Sequence, residues 1–176
     1  MKKLYKFLNL KRGKIKSNSG DTTWNIGEWQ HLDGKLTMCE YGFHASKTPY
    51  QAFFYVQGEV LAIVEVKGKS IKEDDKECWS DMRIVKAYKW KKKDSVALSI
   101  FSAELVLENF ENEFPNDKRP REAIEAARRV LFRDTAKNRS AARSAAWSAA
   151  RSAARSATYN KIGKWMENHI EELEEL

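Results

Sequence analysis

A chain of 176 residues with 42% hydrophobic content can bury a core, as one large domain or two small ones. No run of about 18 apolar residues is present and the charged N-terminus is followed by no long apolar stretch, so neither a membrane span nor a secretory leader is expected and the cytosol is the expected compartment. The net charge of +7 is unevenly placed: residues 1–93 carry 19 basic and 11 acidic groups, residues 118–164 carry 13 and 3, and residues 165–176 hold five glutamates and no base.

The first half has a β-like pattern. Residues 4–8 and 36–39 are short apolar runs with polar flanks. Thr48 is a good N-cap and Pro49 suits the first helical position, which predicts a short helix through Val56. Residues 59–66 (Glu-Val-Leu-Ala-Ile-Val-Glu-Val) are rich in β-branched side chains and lie between Gly58 and Gly68, the clearest strand of the chain. Residues 83–90 alternate as a half-buried strand does. Lys91-Lys92-Lys93 marks a boundary, with Asp94 or Ser95 as the next helix cap.

Beyond it the pattern is helical. Val96, Leu98, Ile100, Phe101, Leu105, Leu107 and Phe110 recur at three- and four-residue steps, and Pro115-Asn116-Asp117 ends that helix. A second starts near Pro120, with Ala123, Ile124, Ala127, Val130 and Leu131 on its inner face. A Ser-Ala-Ala-Arg repeat over residues 138–157 forms the third. The fourth begins near Asn160, with Ile162, Trp165, Met166, His169, Ile170 and Leu173 as its stripe. The expected architecture is α+β: a small mixed or antiparallel β domain (1–93) followed by an antiparallel helical bundle (94–176) that includes the alanine-rich repeat helix.

The repeat carries the first candidate surface. Alanine and arginine are both strong helix formers, so the segment reads as a helix bearing guanidiniums. A helix turns about 100° per residue, so a four-residue period drifts by about 40° per repeat. Arg139, Arg143, Trp147, Arg151 and Arg155 therefore trace a slow spiral, whose alanines suit close helix packing and whose outward side chains are candidates for partner contact.

The second candidate is Gly42-Phe43-His44-Ala45-Ser46, followed by Ala52 and Tyr55. A glycine, a polar strand end and a capped helix can shape a small-ligand pocket. His44 is there either as an acid, base or ligand, or as a hydrogen-bonding anchor for a β-to-helix turn. No catalytic residue is expected, and His44 and Tyr55 are the candidates if there is one. His31, His44 and His169 are scattered, the two cysteines Cys39 and Cys78 have no paired-ligand spacing, and no phosphate loop or metalloprotease motif is present. Free thiols, no metal and no cofactor are expected.

The first half resembles uncharacterised small proteins of phages and prophages of gut bacteria. The resemblance rests on Tyr5-Lys6-Phe7, Cys39-Glu40-Tyr41-Gly42-Phe43-His44-Ala45, residues 55–66, and Asp75-Lys76. The second half resembles immunity proteins of bacterial toxin systems through Ala103-Glu104, Phe110-Glu111, residues 115–127 and the repeat. Those proteins are helical and act by binding. Together the two resemblances imply a phage-encoded accessory protein in the host bacterial cytosol: a non-enzymatic, anti-defence inhibitor that binds a host defence protein or nucleoprotein. Residues 42–55 are also similar to the second motif of ADP-ribosyltransferases, which implies an enzyme or a nucleotide-binding sponge on that fold. That fold needs a His or Arg on its first strand and a Glu on a late one, whereas the first strand here offers Tyr5 and Lys6 and residues 83–90 carry no acid. Direct nucleic-acid contact through the basic surface is the third expectation.

Overall fold

The computed structural model describes residues 2–20, 22–133 and 156–176, with residues 156–159 described by backbone alone. Arg139, Arg143, Trp147, Arg151 and Arg155 lie outside the described residues, as does nearly all of the repeat. Among the described residues the fold is α+β: an antiparallel seven-stranded sheet and four α-helices. It divides into two compact units, residues 1–90 with 165–176, and residues 91–164. Where the sequence suggested one break at 93/94, the last twelve residues group with the first unit.

In the first unit the strands are β1 (Lys2–Lys11), β2 (Lys14–Lys16), β3 (Thr23–Trp24), β4 (Gln30–His31), β5 (Phe43–Ala45), β6 (Val60–Lys72) and β7 (Glu77–Lys89). Their order is β3-β2-β1-β6-β7-β4, and β5 also pairs with β7. The unbroken apolar start of β6 is buried on both faces: Val60, Leu61, Ala62 and Val64 are inaccessible. One face of the sheet packs Leu4, Leu8, Trp24, Phe43, Val64, Met82 and Ile84 into the main core. The other carries an aromatic group in which Phe7 meets Phe53 at 5.1 Å and Trp90 at 5.5 Å, edge to face.

The β6–β7 hairpin is longer than residues 59–66 and 83–90 suggested. Its distal half, from Lys67 to Lys72, is solvent-exposed and polar, so hydrophobicity does not mark it as strand. The acidic run Glu73-Asp74-Asp75 is its turn, closed by the Glu73 amide donating to the Lys76 carbonyl at 2.9 Å. The expected strand at 36–39 is instead a tight loop. Leu36 is buried, but the Thr37 amide donates to the Tyr41 carbonyl (2.9 Å) and Cys39 takes a left-handed φ of 66°.

Helix α1 (Pro49–Tyr55) starts as its sequence dictates. The Gln51 amide donates to Thr48 Oγ1 and the Thr48 amide to Gln51 Oε1, both at 3.2 Å, a reciprocal capping box. The outer edge of β7 is covered in turn by β5, by β4, by the loop at Ile26 and by the C-terminal residues. At the last of these the Lys89 amide donates to the Glu174 carbonyl (2.8 Å) and the Leu176 amide to the Ala87 carbonyl (2.9 Å). Lys86 pairs with Glu175 at 3.4 Å and Lys89 with Glu174, so the acidic tip is a clasp on a basic strand.

In the second unit α2 (Lys92–Glu113) and α3 (Arg119–Phe132) lie antiparallel, joined by Glu111–Arg121 and Glu104–Arg128 ion pairs, each at 2.5 Å. Ile100, Ala103, Ile124 and Ala127 form their shared core. Asp94 is not the cap itself. It sits at the third helical position and its carboxylate accepts the Lys91 amide at 2.7 Å. Leu131, expected inside, is 41% exposed, and Ala126 is buried in its stead because the inner face of α3 turns through 126, 127 and 130. Helix α4 (Ser156–His169) ends in a short 3-10 turn, Ile170–Glu172. The described residues thus give one antiparallel helix pair and α4; the repeat wall of the expected bundle lies outside them.

Candidate functional site

A cavity of about 540 Å³ opens in the first unit. Strand β1 contributes Tyr5 and Lys6 to its wall, β5 and the loop before it contribute residues 39–45, α1 contributes Tyr55, and the hairpin turn contributes Lys76. The polar loop between β2 and β3, residues 17–20 and Thr22, closes one side. Strand β5 is held to β1 through Ser46, whose amide and carbonyl both bond Tyr5 at 2.8–2.9 Å.

The Gly-Phe-His motif has a steric reason. Gly42 has φ of 139°, and a Cβ there would lie 2.1 Å from Cys78 Sγ. Only glycine allows the chain to turn this close to β7. His44 then locks the loop: its Nε2 accepts the Cys39 amide at 2.9 Å, and the ring also hydrogen-bonds the Gly42 backbone. Burial first, and then the nearby Lys6 charge, lowers its pKa. With these bonds the imidazole holds the loop in place. Tyr55 is likewise engaged. Its hydroxyl donates to Asp75 Oδ2 at 2.5 Å, Lys76 lies 4.9 Å from its ring centre, and burial and Asp75 raise its pKa. Both candidate catalytic residues therefore line the cavity, and both are occupied with holding it.

The charges are unequal in freedom. Lys76 donates to Cys39 Sγ at 3.1 Å and pairs with Glu73 at 3.3 Å, contacts that raise its pKa. Lys6 donates to the His44 carbonyl at 2.7 Å, and among the described residues no carboxylate pairs with it. Burial lowers its pKa to about 8. Among the described residues Glu40 is the acidic side chain of the wall. The extended β7 does bring two acids into the last strand, yet neither reaches the cavity. Glu77 is fully buried against Lys2 and accepts the Trp79 indole N–H at 3.0 Å, and Asp81 holds His31 at 2.8 Å. Cys39 and Cys78 are free thiols, one exposed and one buried. Among the described residues no group of three His, Cys, Asp or Glu could hold a metal ion.

The sequence marks His44 and Tyr55 by type and spacing but assigns neither Lys6 nor the loop of residues 17–20 and Thr22 to a site. The signal for the loop was its composition, Ser-Asn-Ser-Gly-Asp-Thr, which is polar and turn-forming. Of the segments behind the first-half resemblance, Tyr5-Lys6-Phe7, residues 39–45, Tyr55, Val56 and Lys76 line this cavity, while residues 57–66 and Asp75 do not.

An antiparallel sheet with a capped helix and an open cavity between the two defines an α+β domain with a small-molecule-sized recess. Residues 4–94 match the family model described as a domain of unknown function, DUF7666, and the chain belongs to that family. No curated protein and no solved structure matches the chain. No described helix is long and apolar enough to cross a membrane.

Proposed function

We propose that this protein acts by binding rather than by chemistry, and that its first unit holds a nucleotide-class small molecule without turning it over. The observation that carries this reading is the cavity around Lys6: a half-buried cation with no carboxylate partner among the described residues, in a recess with Tyr5, Tyr41 and Tyr55 on its wall. A volume of about 540 Å³ falls within the range of small-ligand sites. The aromatic rings suit a base and the ammonium suits a phosphate. Binding without turnover is supported by the engagement of His44 and Tyr55, whose polar atoms are bonded within the protein. In this reading the chain is a sponge, an accessory protein that lowers the free concentration of a host nucleotide.

Calorimetry with NAD and the common 5′-mononucleotides tests it. Heat of binding is expected, with a rise in stability of about 2.7 kcal/mol at a hundredfold excess over Kd and no product on prolonged incubation. Neither heat nor a shift in Tm with any of them would remove the reading.

The excess of ten positive charges over residues 118–164 favours a second reading, a phage anti-defence inhibitor that docks on a host protein or nucleoprotein. Its contacts are Arg139, Arg143, Trp147, Arg151 and Arg155. Charge reversal at Arg143, Arg151 and Arg155 should weaken capture of a stoichiometric host partner while the circular-dichroism spectrum stays unchanged. Equal capture by the reversed variant would discard it. Where the captured species is nucleic acid, affinity should fall steeply with salt.

A further inference from the structure

We propose that Lys6 is the anion anchor of the cavity: it takes the phosphate of a mononucleotide-sized ligand, whose remainder extends toward Tyr55. The proposal rests on the nucleotide reading above and adds the place where the ligand's charge is held.

Side chains alternate along a strand, so Lys6 shares a face of β1 with Leu4 and Leu8. Both leucines are in the main core and almost wholly inaccessible. A leucine would continue that face, yet the position holds an amine. The protein does little to neutralise it. Strand β5 offers the His44 carbonyl at 2.7 Å, a single neutral acceptor for three N–H donors. The His44 ring, on the same strand, is uncharged near neutrality because burial and Lys6 itself lower its pKa. Strand β7 offers Cys78, whose thiol burial pushes up, so it too is uncharged. The cavity's other cation, Lys76, is shared between Glu73, Cys39 and the Tyr55 ring. Among the described residues, Glu40 of the wall included, no carboxylate pairs with Lys6, so its countercharge is left to be supplied. Burying an uncompensated charge is costly, and a ligand anion removes that cost on binding. The amine's pKa of about 8 agrees with this, since an anion at 3 Å would draw it back toward full protonation.

The test compares 5′-mononucleotides (AMP, GMP, CMP, UMP), their uncharged nucleosides and inorganic phosphate, titrated by calorimetry into the full chain and into Lys6→Met. A nucleotide should bind the natural chain at least about tenfold more tightly than its nucleoside, the size of one charge-assisted hydrogen bond. Inorganic phosphate should compete with it. Lys6→Met should erase the difference while leaving nucleoside affinity unchanged. A far-ultraviolet spectrum and melting curve confirm that the variant is folded, and Lys6→Arg should restore part of the preference. If nucleoside and nucleotide bind the natural chain equally, or Lys6→Met keeps the preference, the anchor is overturned and the nucleotide reading survives. If phosphate binds in a Lys6-dependent way and no nucleotide or nucleoside does, the anchor stands and the nucleotide reading falls. If nothing binds, both fall.

Discussion

Replacing Lys6 with methionine should make the protein more stable, by about 2 kcal/mol at pH 7 in urea or thermal unfolding. The sign follows from linkage. Burial lowers the folded amine to about 8, while the unfolded amine keeps its ordinary value of 10.5. Below pH 8 both states are protonated and the folded state bears the full cost of the buried charge. Between pH 8 and 10.5 the folded state has lost its proton and the unfolded state has not, so stability of the natural protein rises with pH by about 1.4 kcal/mol per unit. That totals about 3 kcal/mol, from which loss of the bond to the His44 carbonyl takes back about 1 kcal/mol. The advantage of methionine should therefore shrink above pH 8, vanish at about pH 9.5 and give way by pH 10.5 to a deficit of about 1 kcal/mol, that of the lost bond. A methionine variant that is less stable at pH 7, or equally advantaged at pH 7 and pH 10.5, would show that Lys6 belongs to the core's own architecture. A position where the natural side chain lowers stability is characteristic of residues kept for function.

Trp24→Ala should lower stability by about 4 kcal/mol, the scale of removing a large aromatic from a packed core. Trp24 is 2% exposed and meets Phe43 edge to face at 5.1 Å, so it ties β3 to the strand that carries the Gly-Phe-His motif. Its indole N–H donates to Ser17 Oγ at 2.9 Å, which fixes the start of the loop forming one cavity wall. Trp24→Phe keeps the ring contact and loses the bond, at a cost of about 1–2 kcal/mol. Chemical denaturation separates the two variants. An alanine variant within 1 kcal/mol of the natural chain would mean that β2 and β3 contribute little to the core. Ligand affinity should fall in the phenylalanine variant more than its stability does, because the Ser17 wall loosens while the core stays filled.

Legibility in the sequence followed how local each signal is. Thr48, Pro49 and Gln51 lie within four residues and write α1 directly, and Val60 to Val66 announces a buried strand by its own composition. The far half of the hairpin, Lys67–Lys72 against Glu77–Met82, is stabilised by pairing across the strands, so its polar residues carry no strand signature of their own. Met38 and Cys39 look like strand residues because they are apolar, yet a two-residue pairing between Thr37 and Tyr41 bends them into a turn. The site was half visible. His44 stands out by type, while its bond to the Cys39 amide depends on a loop whose turn the apolar run 36–39 does not announce. Lys6 was inconspicuous among many lysines of the first half, since only the register of β1 places it on the core face with Leu4 and Leu8. The joining of the C-terminal residues to β7 has no local cue at all. It depends on Lys86 and Lys89 meeting Glu175 and Glu174, which lie more than 80 residues away in the chain.

That long-range clasp bears on how the molecule is made. The backbone groups at Ala87 and Lys89 have their partners in residues 174–176, so during synthesis this stretch of sheet edge waits for the whole of the second unit to be translated. In topological terms residues 91–164 are an insertion in a sheet domain that is finished last, rather than a domain appended to one already complete. An interrupted nascent chain would carry a bare β-edge, the kind of surface that recruits other strands. A fusion partner placed after Leu176 would be tethered to the rim of the sheet, one residue from its final pairing.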